Sequence, residues 1–182
     1  RRSSDLARGG SKGVKKKNIK LLGSQLLIAY TIKAAQQSSC FTRLVLSTED
    51  KEILNISQNL GCEVIKRPNF LARDDTPMIS VVRHALKIVE TKDQRYDYVF
   101  VLQPTTPFRQ SKDIDKAVAL IIKTGADSVI GVVRIYDNHP ARVKKIENNR
   151  LVPYCVEEDE EARRQDLPPA YLRNGAVYVV KR

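Results

Sequence analysis

Short apolar runs alternate along this chain with longer stretches whose apolar residues recur every three or four positions. Leu26, Leu27, Tyr30, Thr31 and Ala34 fall on one face of a first helix. Residues 43–47 then read as a short buried strand, and Thr48, Glu49 and Asp50 can cap a second helix. That helix carries Ile53, Ile56 and Leu60 and stops at Gly61. A strand at 63–66 ends at Arg67-Pro68, and a polar loop covers 69–76. Pro77 opens a third helix bearing Val81, Val82, Ala85, Leu86 and Val89. Residues 98–102 are the most apolar strand. Ser111 is expected to cap a fourth helix with Ile114, Ala117, Val118, Ile121 and Ile122 on its inner face, before a strand at 128–133.

Strand alternating with helix over 7–133 predicts a three-layer α/β/α, Rossmann-like fold with a mostly parallel sheet covered on both faces. Such sheets bind ligands at the carboxyl ends of their strands. Two stretches break the pattern. Residues 1–6 hold Leu6 as their one large apolar residue, too little for a buried central strand. They read as a foreign or truncated start that leaves the sheet without a proper first strand. Residues 134–173 are rich in charge, with a hairpin expected around Asn148-Asn149 and an acidic run over 157–161. They read as an insertion in a single domain spanning 7–182, before a last strand over 175–180.

At 182 residues the chain can bury one good core. No apolar run reaches the ~18–20 residues that cross a bilayer, and no signal-peptide apolar stretch is visible. Cys40, Cys62 and Cys155 have neither metal-ligand nor redox spacing. Three unpaired thiols point to a reducing compartment, the cytoplasm. The net charge of +11 would suit nucleic acid. The basic residues are scattered, however, and aromatics make up 6% of the chain. Positive potential serves a small polyanionic substrate equally well.

The richest chemistry lies in Ala7-Arg8-Gly9-Gly10-Ser11-Lys12-Gly13. Three glycines in five positions let backbone amides converge on an anion. Arg8 adds a planar fork, Lys12 a mobile charge and Ser11 a hydroxyl, the parts of a triphosphate cradle. The same composition also describes a solvated linker. It is neither the P-loop pattern nor the dinucleotide glycine fingerprint.

This stretch, followed by Lys17-Asn18, resembles the signature of the acylneuraminate cytidylyltransferases, the CMP-sialic acid synthetases. The resemblance continues through Leu102-Gln103-Pro104-Thr105-Thr106-Pro107-Phe108-Arg109. It returns at Arg164-Gln165-Asp166-Leu167-Pro168-Pro169 and at Asn174-Gly175-Ala176-Val177-Tyr178. It implies a CTP-dependent enzyme that joins CMP to a nine-carbon sugar acid and releases pyrophosphate. Legionaminic, pseudaminic or Kdo acids are neighbouring acceptors, the Kdo enzymes lacking this glycine-loop form. Competing readings are a CTP-binding fragment without turnover and a basic nucleic-acid-binding α/β module.

By the same resemblance Ala7, Arg8, Gly9, Gly10, Ser11 and Lys12 hold the CTP phosphates, with Lys17 and Asn18 assisting. Lys15 and Lys16 are expected to be solvated bystanders. Arg67 is placed near the cytosine and ribose, and Gln103 at the acceptor sugar. Arg142, Arg164, Gln165 and Tyr178 are candidate sugar contacts. Arg8, Lys12, Lys17 and Gln103 form the catalytic set. Arg109 is expected to anchor its loop, Asp75 to cap a helix and His139 to stay outside catalysis. The implied cofactor is Mg2+, with metal-binding aspartates beyond residue 182, so turnover by this chain is expected to be impaired. The segment 134–173 is expected to pack against a second subunit, making a homodimer.

Overall fold

The computed structural model describes residues 2–6, 13–154 and 163–182, the first segment by its backbone. The glycine-rich residues 7–12, Cys155 and the acidic run 157–161 lie outside the described residues. The strands are β1 (Arg2–Leu6), β2 (Leu21–Leu22), β3 (Gln25–Leu26), β4 (Val45–Thr48), β5 (Glu63–Lys66) and β6 (Tyr98–Leu102). They are followed by β7 (Ser128–Ile135), β8 (Lys144–Glu147), β9 (Arg150–Pro153) and β10 (Ala170–Lys181). The helices are α1 (Leu27–Gln36), α2 (Lys51–Asn59), α3 (Met78–Val89) and α4 (Ser111–Thr124). The chain divides into two compact units, residues 1–131 with 175–182, and residues 132–174.

In the larger unit six strands form one sheet in the order β5-β4-β1-β6-β10-β7. β5, β4, β1 and β6 run parallel. β10 joins antiparallel, pairing Tyr178 with Val101 and Val180 with Val99. The expected missing first strand is therefore corrected. Residues 2–6 form β1, which pairs with β4 on one side and β6 on the other. Its polar sequence hid it, because a ladder needs backbone N–H and C=O groups, which any residue except proline supplies.

Period-two alternation sorts the strand side chains onto two faces. Leu46 of β4 meets Ile28 and Ile32 of α1 and Ile53 of α2. Phe100 and Leu102 of β6 and Val177 and Val179 of β10 meet Ile114, Val118 and Ile121 of α4. On the other face Val45 and Ile65 pack under Ala85 and Val89 of α3, with Val99 and Val101 against Val82. Helices thus lie on both faces of the sheet.

Local signals set the element ends. Asp50 accepts hydrogen bonds from the amides of Glu52 (2.8 Å) and Ile53 (3.1 Å), capping α2 as expected. Helix α4 is capped one residue earlier than expected, at Gln110, whose amide donates to Asp113 Oδ2 at 3.0 Å. Ile122, expected inside, is exposed. Asp75 caps nothing in α3, whose N-cap is Pro77 with no side-chain bond. Lys16 adopts φ 53 before a 3-10 turn over Lys17–Ile19.

The smaller unit is built around the β8–β9 hairpin. Asn148 and Asn149 turn it at φ 50 and 60, the left-handed pair that a two-residue hairpin turn needs. His139 Nδ1 accepts from the amide of Ala141 at 3.2 Å. Its Nε2 therefore carries the proton and donates to the carbonyl of Pro168 at 2.8 Å. Both ring nitrogens are engaged in holding the chain.

Candidate nucleotide site

The strand order reverses direction at β1. The chain runs outward through β4 to β5, then crosses by α3 to β6 on the far side of β1. At such a switch point connections leave to opposite sides, which opens a crevice at the strands' carboxyl ends. A polar cleft of about 440 Å³ is found at these ends. After β1 it is lined by Gly13, Lys17 and Asn18, and after β5 by Arg67, Arg73, Asp74 and Thr76. Gln103 and Pro104 line it after β6. Asn18, Arg67 and Gln103, up to 85 positions apart in sequence, meet in one hollow.

Arg67 is a wall of this cleft and only 5% exposed, so it is no surface charge. Its amide donates to the carbonyl of Thr48 at 2.7 Å, continuing the β4–β5 ladder past its end. Its Nε donates to Ser47 Oγ at 3.2 Å and its Nη2 to the Ser47 carbonyl. Nη1 lies 3.9 Å from Glu49. Asn18 is likewise buried, and Lys17 is half-buried at the rim. Lys16 turns away to pair with Glu52 of α2, whose hydrogen bond raises the lysine's pKa. Neighbouring lysines therefore do different work, and Lys16 does not line the cleft.

Gln103 lies at the mouth of β6 against Gly175. A Cβ at position 175 would sit 2.5 Å from Gln103 Oε1, at a backbone φ of 72. Arg109, also 5% exposed, anchors the loop as expected. Its Nη2 donates to the Gln103 carbonyl at 2.6 Å, its Nη1 to Thr31 Oγ1 at 2.9 Å, and its Nε to the Ala176 carbonyl.

None of the remaining sequence candidates is among the described residues that line this cleft. Ala7, Arg8, Gly9, Gly10, Ser11 and Lys12 are outside the described residues, as is the side chain of Arg164. Tyr178 faces a separate apolar hollow of about 550 Å³ along α3, with Val82, Leu86, Val99 and Val101. Met78 borders both hollows. Arg142 and Gln165 belong to the smaller unit, where Gln165 lines a hollow of about 360 Å³ with Arg134, Tyr136 and His139. Two cleft features escaped the sequence reading. Arg73 was hidden in a polar loop without periodicity, and Gly175 was seen as part of a motif without a reason for its being glycine.

No group of three or more His, Cys, Asp or Glu side chains converges as a metal site among the described residues. Asp74 supplies a carboxylate to the cleft. This donor set does not by itself form a protein-only magnesium site. Among the described residues no helix is long and apolar enough to cross a membrane.

A mostly parallel sheet with a polar, cation-bearing crevice at its switch point defines a nucleotide-handling α/β protein. A family model described as Cytidylyltransferase matches residues 6–180. The chain is 34% identical over 185 residues to N-acylneuraminate cytidylyltransferase A of Danio rerio, covering 97% of this chain and 40% of that protein. It is 36% identical over 176 residues to a CMP-N,N'-diacetyllegionaminic acid synthase of Legionella pneumophila, covering 95% of this chain and 74% of that one. In fold it is similar to a CMP:2-keto-3-deoxy-manno-octonic acid synthetase solved with CTP. The TM-score is 0.71 at 16% identity, over 98% of this chain and 73% of the other. The chain belongs to the cytidylyltransferase family, and this disfavours the nucleic-acid-binding reading.

Proposed function

We propose that this protein activates a nonulosonic, sialic-type sugar acid with CTP, giving a CMP-sugar and pyrophosphate. The observation that carries the reading is the convergence of Lys17, Asn18, Arg67 and Gln103 on one switch-point cleft. Its relatives named for N-acylneuraminate and legionaminic acid support the acceptor class.

In this reading the anomeric hydroxyl of the sugar attacks the α-phosphorus of CTP. A C–O–P bond forms, the bond to the β-phosphate oxygen breaks, and pyrophosphate leaves with its electron pair. Such transfer depends on positioning and charge neutralisation. Arg8, Lys12 and Lys17 neutralise the triphosphate, Asn18 orients the nucleotide and Arg67 walls the base side. Gln103 uses its amide as donor and acceptor toward the sugar. Among the described residues Asp74 brings a carboxylate to the cleft and no His or Cys lines it, so the hydroxyl proton passes to that carboxylate or to solvent. Arg142, Arg164 and Gln165 remain proposed sugar contacts, whereas Tyr178, turned into the apolar hollow along α3, is left out of the set.

Mg2+ belongs to the proposal as an ion entering with the nucleotide's phosphates, which commonly supply most of its ligands beside waters and one or two carboxylates. A cytoplasmic homodimer completes it. The smaller unit exposes Ile146 and Leu151 at 73% each on its hairpin, an apolar surface suited to a second copy.

The test incubates the protein in excess over CTP with N-acetylneuraminic or N,N'-diacetyllegionaminic acid, so that slow chemistry still registers. Pyrophosphate and CMP-sugar are read together, with and without EDTA. Acceptor-dependent pyrophosphate, abolished by EDTA and restored by Mg2+, is the expected result. Failure of CTP to raise the melting temperature, with no product from either acid, refutes the reading.

A further inference from the structure

The β6–β10 ladder pairs Tyr178 with Val101 as its last recorded rung toward the cleft. Continued by two residues, the same register sets Ala176 opposite Gln103. There the carbonyls of both residues are taken by one buried guanidinium, that of Arg109. The seam between the two strands is thus bridged by a side chain where its backbone rungs end. Arg109 is itself tied to α1 through Thr31.

The Gln103 side chain rests in the space this leaves. It lies on the bare Cα of Gly175, where a methyl group would meet Oε1 at 2.5 Å and Cδ at 3.3 Å. Contacts under about 3 Å cannot persist between such atoms, so a Cβ there must displace the amide. Thr106 Oγ1, 3.3 Å from the same point, closes the other side. Gly175 also sits at φ 72, so the residue that makes room for Gln103 holds a backbone conformation costly to other L-residues.

We propose that Arg109 and Gly175 are positioning residues that act through Gln103, fixing its amide where the acceptor sugar is to be met. Arg109 fixes the main chain of Gln103, and Gly175 fixes its side chain. The functional half of this inference rests on the reading of the cleft as a CTP-dependent sugar-acid site. The positioning half does not.

The experiment therefore has two readouts. In the first, the side-chain amide signals of Gln103 are identified by NMR as the pair lost in Gln103→Ala. They are expected to shift in Gly175→Ala and to move toward mobile, solvent-like values in Arg109→Lys. A lysine carries its donors on one nitrogen and cannot span the three acceptors that the guanidinium's separate nitrogens reach. Unchanged signals in both variants overturn the proposal whatever the protein's reaction.

In the second, Gly175→Ala is expected to raise the acceptor KM by roughly ten- to hundredfold, as displacement by about 1 Å can do. CTP affinity by calorimetry should stay within about twofold, since removing an acceptor contact leaves the nucleotide half untouched. In a Gln103→Ala background the Gly175→Ala change should add less than about twofold, because the group it acts through is gone. Additive losses in that double variant, or an unchanged acceptor KM despite shifted amide signals, overturn the proposal. Absence of any acceptor-dependent product from the unaltered protein refutes the cleft's assigned reaction instead, and the NMR arm still decides the positioning. If Gly175→Ala does not fold, Arg109→Lys carries both readouts.

Discussion

Replacing Arg67 by methionine is expected to destabilise the protein and to weaken CTP binding in the same step. Two unit charges 3.9 Å apart, the separation of Arg67 Nη1 and Glu49, interact by roughly 4 kcal/mol at an effective dielectric of about 20. Their side chains are 5% and 16% exposed, so solvent screens the pair little. The bonds from a charged donor to Ser47 add about 1.5–3 kcal/mol. Methionine recovers part of this, because it carries no guanidinium to desolvate. Breaking a buried pair from one side costs about 3–5 kcal/mol in general. The long separation here lowers the expectation to about 2–4 kcal/mol. In a chain of this size that is a fall of roughly 6–12 °C in melting temperature, followed by circular dichroism. A second change, Glu49→Gln, should restore part of the loss in the methionine background, since the buried carboxylate no longer faces an apolar side chain. CTP affinity should drop roughly tenfold or more, the equivalent of one charged hydrogen bond. A melting temperature within about 2 °C of the unaltered protein would refute the reasoning. So would strict additivity with Glu49→Gln.

Removing the α2 cap with Asp50→Ala should cost about 1 kcal/mol in urea melts, because the amides of Glu52 and Ile53 lose their acceptor. An unchanged midpoint would mean that water serves them equally well. Arg43 grips Glu63 with bonds of 2.7 and 2.8 Å. That hydrogen bond lowers the Glu63 pKa from its usual 4.5, against the opposing effect of burial. A depressed folded-state value means the stabilisation is complete above about pH 4.5 and is lost as pH falls through the folded value. With Glu63 44% exposed, solvent screening holds it to at most about 1 kcal/mol. The stability gap between the unaltered protein and Glu63→Gln should therefore be present at pH 7 and shrink as the pH falls below about 4.5. A gap independent of pH would contradict this. Finally, Ile146→Glu with Leu151→Glu should halve the mass measured by light scattering if the hairpin joins two copies. A protein already monomeric before the change would remove the dimer from the proposal.

Much of the fold was legible because strands β4, β5 and β6 and helices α1–α4 are written in apolar periodicity, which burial enforces. β1 was not, since its polar residues carry no such period and its place is fixed by backbone pairing to both neighbours. The two-residue strands β2 and β3 were missed for a similar reason, being too short to show alternation. At the cleft, Asn18, Arg67 and Gln103 could be read from motifs, and their convergence follows from strand order. Tyr178 could not be placed that way. It shares a motif with Gly175, yet alternation turns it to the α3 face, into the apolar hollow. The role of Gly175 was invisible for a deeper reason, because an absent side chain leaves no pattern until its neighbour's position is known.

The Arg109 bridge has a consequence for how such a protein can change over generations. A guanidinium shared by a helix, a loop and a strand makes the floor under Gln103 part of the scaffold's own seam. Drift that loosened the floor would weaken that seam at the same time and so carry a cost in stability. Change at the rim, in side chains that the scaffold does not lean on, carries no such cost.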